Sequence, residues 1–234
     1  MPIDLSIIRA ICFDVDGTLS DTDNAWVNRL SAALHGVRFL FKHHDPTSFA
    51  RWLMLTGESP ANAVYHLLDR LSLDDNAAAL YEKLIRRRKS APRAFLLMAH
   101  ARETLETLVA RYPMSVVSAR NEKSTWDFLQ QFTLGWYFKA VVTSQTCEHT
   151  KPYPDPILYA ARMMNVDPRG VLMVGDTTVD ILAGKAAGAQ TIGVLCGFGS
   201  EKELRKAGAD LVLQDLGELQ RLFAAETGIQ PDAV

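Results

Sequence analysis

The apolar run Ile7-Ile8-Arg9-Ala10-Ile11-Cys12-Phe13, followed at once by Asp14-Val15-Asp16-Gly17-Thr18-Leu19, decides how this chain is read. Such a run predicts a buried strand. Two carboxylates two residues apart then stand at its carboxyl end, the edge of an α/β sheet where ligands bind. Gly17 lets the backbone leave sharply. A pair of this kind can divide labour, one carboxylate attacking and the other shuttling protons. Alone, the hexapeptide is equally a strand followed by a polar Asp-Gly turn. A calcium loop fits worse, because the EF-hand pattern puts Gly sixth and Glu twelfth, whereas Gly17 stands fourth and Ala25 twelfth. The decision passes to the residues downstream.

Further short apolar segments read as strands: Met114 to Val117, Ala140 to Thr143, Val171 to Val174, Thr191 to Leu195 and Asp210 to Leu213. They are rich in Val and Ile and spaced widely enough for a crossover helix, which predicts a parallel sheet with helices on both faces. The intervening helices are expected at Arg102 to Arg111, Glu122 to Phe132, Asp155 to Met164, Val179 to Ala187, Glu201 to Ala207 and Leu216 to Glu226. Gly188 and Gly208 stand where a helix carboxyl cap wants a left-handed residue.

Between Leu19 and about Pro92 the strand signal stops and amphipathic helical spacing takes over. Trp26, Leu30, Ala33, Leu34 and Val37 follow it, then Val64, Leu67, Leu68 and Leu71, then Ala77, Leu80, Leu84 and Ile85. The expected organisation is an α/β, Rossmann-like core of residues 1–19 and 93–234, with an all-α cap of residues 20–92 inserted after the first strand. An insertion there would sit over the strand ends as a lid, hinged near Ser20 to Asp23 and near Ser90 to Arg93.

Composition narrows the class. The 234 residues are 48% hydrophobic and 22% charged, as in an ordinary globular protein with a sizeable core. A formal net charge of -2 gives no global attraction for nucleic acid or an anionic membrane, so neither is expected as a partner. Cys12, Cys147 and Cys196 are odd in number and widely spaced, which suggests neither a disulfide framework nor a zinc site. Cys12 should pack as a small hydrophobe. The chain opens without a signal-like segment, and no apolar stretch approaches the ~18 to 20 residues that span a bilayer, so a cytoplasmic location is expected. Monomer and homodimer are not distinguished.

Three more strand ends carry chemistry. Ser118-Ala119-Arg120 follows Met114 to Val117, offering a hydroxyl and backbone N–H groups. Lys151-Pro152-Tyr153-Pro154-Asp155-Pro156 puts an ammonium in a proline-stiffened loop. Gly175-Asp176-Thr177-Thr178-Val179-Asp180 ends the fourth apolar run with two carboxylates four apart. Each has a bland reading: Ser118 as a cap, Lys151 as a solvated loop residue, Asp176 and Asp180 as helix-start acids. Their joint occurrence, in this order and each at a strand end, is hard to reconcile with chance.

Those four motifs, Asp14-x-Asp16-Gly17-Thr18-Leu19, Ser118, Lys151 and Gly175-Asp176-x-x-x-Asp180, resemble those of the haloacid dehalogenase superfamily of phosphohydrolases. The insertion resembles the family's helical first-position cap. The tail from Gly193 through Gly197-Phe198-Gly199 to Asp210 is similar to the phosphoglycolate-phosphatase-like branch. The resemblance implies a Mg²⁺-dependent phosphatase acting on a small phosphorylated metabolite through an aspartyl-phosphate. Asp14 would be the nucleophile and Asp16 the acid/base. Lys151 would screen charge, while Ser118 and the Ala119 N–H bind phosphate. Mg²⁺ would be held by Asp14, the Asp16 carbonyl and Asp176. Asp180 would be either a ligand through water or a partner of Lys151. Arg120 is given no role.

Asp16 argues against a dehalogenase, which needs no acid/base there. A phosphonatase would need a cap lysine positioned for a Schiff base, and the sequence does not place Lys42 or Lys83 there. A sugar-phosphate mutase of the β-phosphoglucomutase type is the alternative, but that subgroup usually carries Glu-Asp at Gly175-Asp176. A catalytically idle binding protein would be expected to have lost a carboxylate. Within the cap, Arg86-Arg87-Arg88-Lys89 and His43-His44 read as solvated surface, and Trp26 and Trp52 as cap packing.

Overall fold

The computed structural model describes residues 3–21, 31 and 95–225. Six parallel strands form one sheet: β1 (Ala10–Phe13), β2 (Met114–Val117), β3 (Phe138–Val142), β4 (Val171–Gly175), β5 (Gln190–Val194) and β6 (Leu211–Leu213), in the order β3-β2-β1-β4-β5-β6. The described helices are α1 (Ala101–Val109), α2 (Glu122–Gln131), α3 (Asp155–Met164), α4 (Thr178–Ala186), α5 (Glu201–Ala207) and α6 (Leu216–Ala225). The α/β class expected from the sequence is therefore the observed one.

Pairing explains why β1 is apolar throughout. β1 lies between β2 and β4, with Ile11 level with Met114 on one side and Leu172 on the other. Its two faces pack into different layers. Ile11 and Phe13 join Leu105 and Leu108 of α1, Phe128 and Leu129 of α2, and Leu219 and Phe223 of α6. Ala10 and Cys12 join Ile157, Ala160 and Met164 of α3 and Ala183 of α4. A strand covered on both faces needs apolar residues at every position. Full burial of a side chain such as Phe13 contributes about 1.5–3 kcal/mol. Cys12 packs as a small hydrophobe, and burial pushes its thiol up to about 12.

Local signals set the ends. Asn121 caps α2 by accepting the Ser124 N–H at 2.8 Å, and Ser200 with Glu203 forms a capping box on α5. Gly188 and Gly208 have φ of +80° and +98°, the left-handed caps that the sequence predicts. The amino-terminal strand is shorter than expected. Leu5–Ile7 form a single 3-10 turn because the Asp4 carboxylate accepts the Ser6 N–H at 3.0 Å, leaving Ile7 exposed and β1 to begin at Ala10.

The chain divides into two compact units, Met1–Thr22 with Phe95–Val234, and Asp23–Ala94. The expected cap helices and the second hinge, Ser90 to Arg93, lie outside the described residues. At the edge of the first unit, Ser20 bridges Leu97 antiparallel, and Asp21 N–H donates to Leu96 O at 3.0 Å. Among the described residues no helix is long and apolar enough to cross a membrane.

Candidate active site

The sheet order reverses between β1 and β4, the switch point where crevices open at the carboxyl ends of open α/β sheets. Asp14 directly follows β1 and Asp176 directly follows β4, so both carboxylates stand at that point. Asp14 N–H extends the pairing by donating to Val174 O at 2.9 Å. Ser118 follows β2, and Lys151 enters from the loop after β3.

Lys151 Nζ is the hub. It donates to Asp14 Oδ1 at 2.5 Å, Asp180 Oδ1 at 2.5 Å and Val117 O at 2.9 Å, so its three hydrogens meet three acceptors. Its side chain is only 4% exposed. Burial works against the ammonium, but the facing carboxylates Asp14 and Asp180 outweigh it and hold the Lys151 pKa above its ordinary value. Burial pushes the Asp14 carboxyl up to about 7; Lys151 pulls it back, while Asp180 and Asp16 repel its charge.

Asp180 belongs to a helix start as well as to the site. Its Oδ2 accepts the Thr177 N–H at 3.0 Å and the Thr177 hydroxyl at 2.5 Å, closing a capping box on α4, while Oδ1 accepts from Lys151. The contact with Lys151 is one of the two roles that the sequence left open. Asp176 is fully buried: Thr18 Oγ1 donates to one oxygen at 3.0 Å and Phe198 N–H to the other at 2.8 Å. Burial, then repulsion from Asp14 and Asp180, raises its pKa well above the ordinary carboxylate value.

Oxygens of Asp14, Asp176 and Asp180 all lie within 4.8 Å of one another. Three buried carboxylates face one ammonium there, and the surplus is the charge of one divalent cation. Hard oxygen donors in such a cluster suit Mg²⁺.

Asp16 is turned to a different partner. Arg120 grips it with two bonds, Nε to Oδ2 at 2.7 Å and Nη2 to Oδ1 at 2.5 Å. The Arg120 N–H also donates to Ser118 Oγ at 3.1 Å, which leaves that hydroxyl's own hydrogen to donate. Ala119 lies exposed between them. The structure thus joins Asp14, Lys151, Asp180 and Asp176 in one cluster, and links Asp16 to Ser118 through Arg120.

Sequence reading gave Arg120 no role; only its place two residues after Ser118 could have drawn attention to it. It quoted Thr18 and the loop after β5 for the resemblance but gave them no contact with Asp176. Gly197 and Gly199 in that loop pass so close to Asp176 that a Cβ would stand 2.2 Å from its Oδ2 and 2.0 Å from its carbonyl oxygen, respectively. Their glycine spacing was the available signal.

A switch-point carboxylate gripped by a buried lysine, with an acid cluster beside it, is an α/β arrangement suited to phosphoryl transfer. The chain belongs to the haloacid dehalogenase-like hydrolase family, whose profile matches residues 11–194. It is 26% identical over 229 residues to the phosphoglycolate phosphatase of Escherichia coli K12, covering 91% of each chain. It is 27% identical over 213 residues to the pyrophosphatase PpaX of Oceanobacillus iheyensis, covering 91% of this chain and 95% of that one. Among solved structures, a family hydrolase from Deinococcus radiodurans with bound phosphate and sodium superimposes with a TM-score of 0.77 at 23% identity, over 96% and 99% of the two chains. A Thermotoga maritima protein described as a β-phosphoglucomutase gives 0.74 at 20% identity, over 93% and 99%.

Proposed function

We propose that the chain is a Mg²⁺-dependent phosphatase that hydrolyses a small phosphorylated metabolite of the phosphoglycolate kind through an aspartyl-phosphate on Asp14. The observation that carries the reading is Lys151, buried and donating to both Asp14 and Asp180 at 2.5 Å, because a nucleophilic carboxylate facing a phosphate dianion needs a fixed cation beside it.

An Asp14 carboxylate oxygen attacks phosphorus as the ester P–O bond breaks, and the leaving alkoxide takes its proton from Asp16. Water then attacks the phosphorus of the acyl phosphate, giving its proton to Asp16. The P–O bond to Asp14 breaks, releasing inorganic phosphate and the free carboxylate. Throughout, Lys151 screens the charge between Asp14 and the phosphoryl oxygens, and the Ser118 hydroxyl and the Ala119 N–H donate to those oxygens. Asp14, the Asp16 carbonyl and Asp176 would hold Mg²⁺, which when bound withdraws charge from the phosphoryl group. Residues 20–92 would be the helical cap that excludes water and selects the substrate.

The substrate class draws on the relatives named phosphoglycolate phosphatase, a small phosphorylated acid being the compound to try first. Gly175 weighs against the mutase reading. A Cβ there would meet Asp180 Cβ and Cγ at 2.4 Å, so this backbone has no room for the glutamate that mutases usually carry.

The test is phosphate release from phosphoglycolate, inorganic pyrophosphate, hexose 1-phosphates and a panel of small phosphomonoesters, with and without Mg²⁺. Mg²⁺-dependent hydrolysis that vanishes in Asp14→Asn with the fold intact is expected. Hexose phosphate isomerisation without net phosphate release, or near-full activity in Asp14→Asn, would overturn the reading.

A further inference from the structure

We infer that Arg120 is the positioning residue for Asp16, setting the orientation of the acid/base carboxylate and tying it to both chain segments that flank residues 22–94. The inference rests on the phosphatase reading, which assigns Asp16 its proton-transfer role.

Asp16 lies beyond the end of β1, in an isolated bridge with Ser20, and its side chain is 33% exposed. Neither a strand nor a helix fixes where that carboxylate aims, so a side-chain contact must. The Arg120 contact is planar and two-pronged: Nε and Nη2 each meet a different oxygen of Asp16. This fork-on-fork geometry restricts rotation and tilt, which a lysine ammonium, acting as a point charge, does not do.

The fork is itself held. Arg120 Cζ lies 5.0 Å from the Phe95 ring centroid and 5.5 Å from that of Phe128, and the two rings pack edge to face at 5.7 Å. Phe95 is pinned in turn by Gln131, whose Nε2 donates to Phe95 O at 3.0 Å. The Arg120 side chain is only 12% exposed, so packing as well as the ion pair offsets the entropy cost of ordering it. An ordinary surface salt bridge lacks that support and contributes little.

Arg120 also reaches the roots of the inserted segment. Nη2 lies 3.3 Å from Ser20 Oγ on the outgoing chain, and the guanidinium stacks on Phe95 of the returning chain. Ser20 bridges Leu97, so outgoing and returning chains are paired at that level. One guanidinium therefore contacts the acid/base, the chain that leaves for the insertion and the chain that returns from it. Its backbone N–H meanwhile fixes Ser118 Oγ. The fork uses one lone pair on each Asp16 oxygen, so the lone pairs that remain can exchange a proton with substrate while the carboxylate stays tethered. Movement at either root would shift the same fork.

The experiment compares wild type, Arg120→Met, Arg120→Lys, Asp16→Asn and the double variant Asp16→Asn/Arg120→Met, with p-nitrophenyl phosphate and the best alkyl phosphate of the panel. Arg120→Met is expected to lower kcat by about 10- to 100-fold, part of what acid/base catalysis supplies, while KM changes by less than about threefold. Arg120→Lys should recover only part of that loss. In the Asp16→Asn background, removing Arg120 should cost less than about twofold more, because a residue acting through Asp16 has nothing left to position.

An unchanged kcat in folded Arg120→Met, a rise in KM alone, or the same fold-loss with and without Asp16 would overturn the inference while leaving the phosphatase reading standing. If Arg120→Met does not fold, Arg120→Lys decides: kcat equal to wild type overturns the proposal, and a fall at steady KM supports it. A wild type that releases no phosphate from any compound overturns the phosphatase reading and this inference with it.

Discussion

A Cβ placed on Gly17 would stand 2.2 Å from Asp176 Oδ2, so the turn that follows the Asp14-to-Asp16 segment and the carboxylate after β4 occupy one space that only glycine leaves open. Gly17 also has a φ of +82°, which costs an L-residue roughly 1–2 kcal/mol. Gly17→Ala should therefore do more than weaken the fold. It should push Asp176 out of the acid cluster, with kcat/KM falling by at least about 100-fold and the Mg²⁺ requirement rising, while circular dichroism still reports a folded α/β protein. A variant that keeps wild-type Mg²⁺ dependence would break the link between these two residues.

Lys151→Met should be the most damaging of the cation substitutions. The methionine fills similar space but leaves the Asp14 and Asp180 carboxylates facing each other in a site from which water is largely excluded. Breaking a buried pair by removing one partner typically costs about 3–5 kcal/mol. Urea titrations at several pH values would check the cause, because the penalty should grow as pH rises through the raised Asp14 pKa and that carboxyl ionises. A pH-independent penalty would point to lost packing instead.

Much of this was legible in the sequence, and the reasons are physical. Strands buried on both faces advertise themselves as Ile/Val runs, so β2 was placed to the residue and α3, opened by Pro156 in its first turn and closed by Asn165, equally well. Asp14 and Asp176 were readable because each directly follows a strand, where spacing along the chain becomes proximity in space; Lys151, further along the loop between β3 and α3, was readable from its place in the motif order. Arg120 was not, since it lies outside the four motifs and its supports Phe95 and Phe128 come from other elements. Ile7 was misplaced because a local Asp4 cap competes with strand pairing, and hydrophobicity does not register that competition.

Asp180 separates helix capping from electrostatics. In Asp180→Asn the amide oxygen can still accept from Thr177, but the amide nitrogen would then point donors at the Lys151 ammonium. The expected result is a loss of about 1–3 kcal/mol in stability and about 10- to 100-fold in kcat. Thr177→Ala, which removes the hydroxyl contact to Asp180 and leaves the carboxylate, should cost about 1 kcal/mol with much less effect on kcat. Thermal melts and steady-state kinetics on both variants give the comparison. Equal losses of activity would mean that the cap, not the charge facing Lys151, is what the site requires.

The cluster also fixes how stability and Mg²⁺ binding should depend on pH. Burial lifts Asp14 from an ordinary 3.8 to about 7, and Asp176 is raised as well, in the metal-free protein. A carboxyl with a raised pKa binds its proton more tightly when folded than when unfolded. Its contribution to stability is therefore full below the unfolded value and is lost as pH rises through the folded one. Metal-free protein should accordingly lose stability between about pH 4 and 7, by an amount on the order of a few kcal/mol. Mg²⁺ must displace those protons, so its affinity should rise over the same range. At a fixed millimolar concentration it should raise Tm more at pH 8 than at pH 5, by linkage to the folded state. Differential scanning calorimetry with chelator and with Mg²⁺ at both pH values measures this directly. In Asp176→Asn the pH 8 increment should largely disappear; an increment equal at both pH values, or one that survives in that variant, would place the cation somewhere other than among these carboxylates.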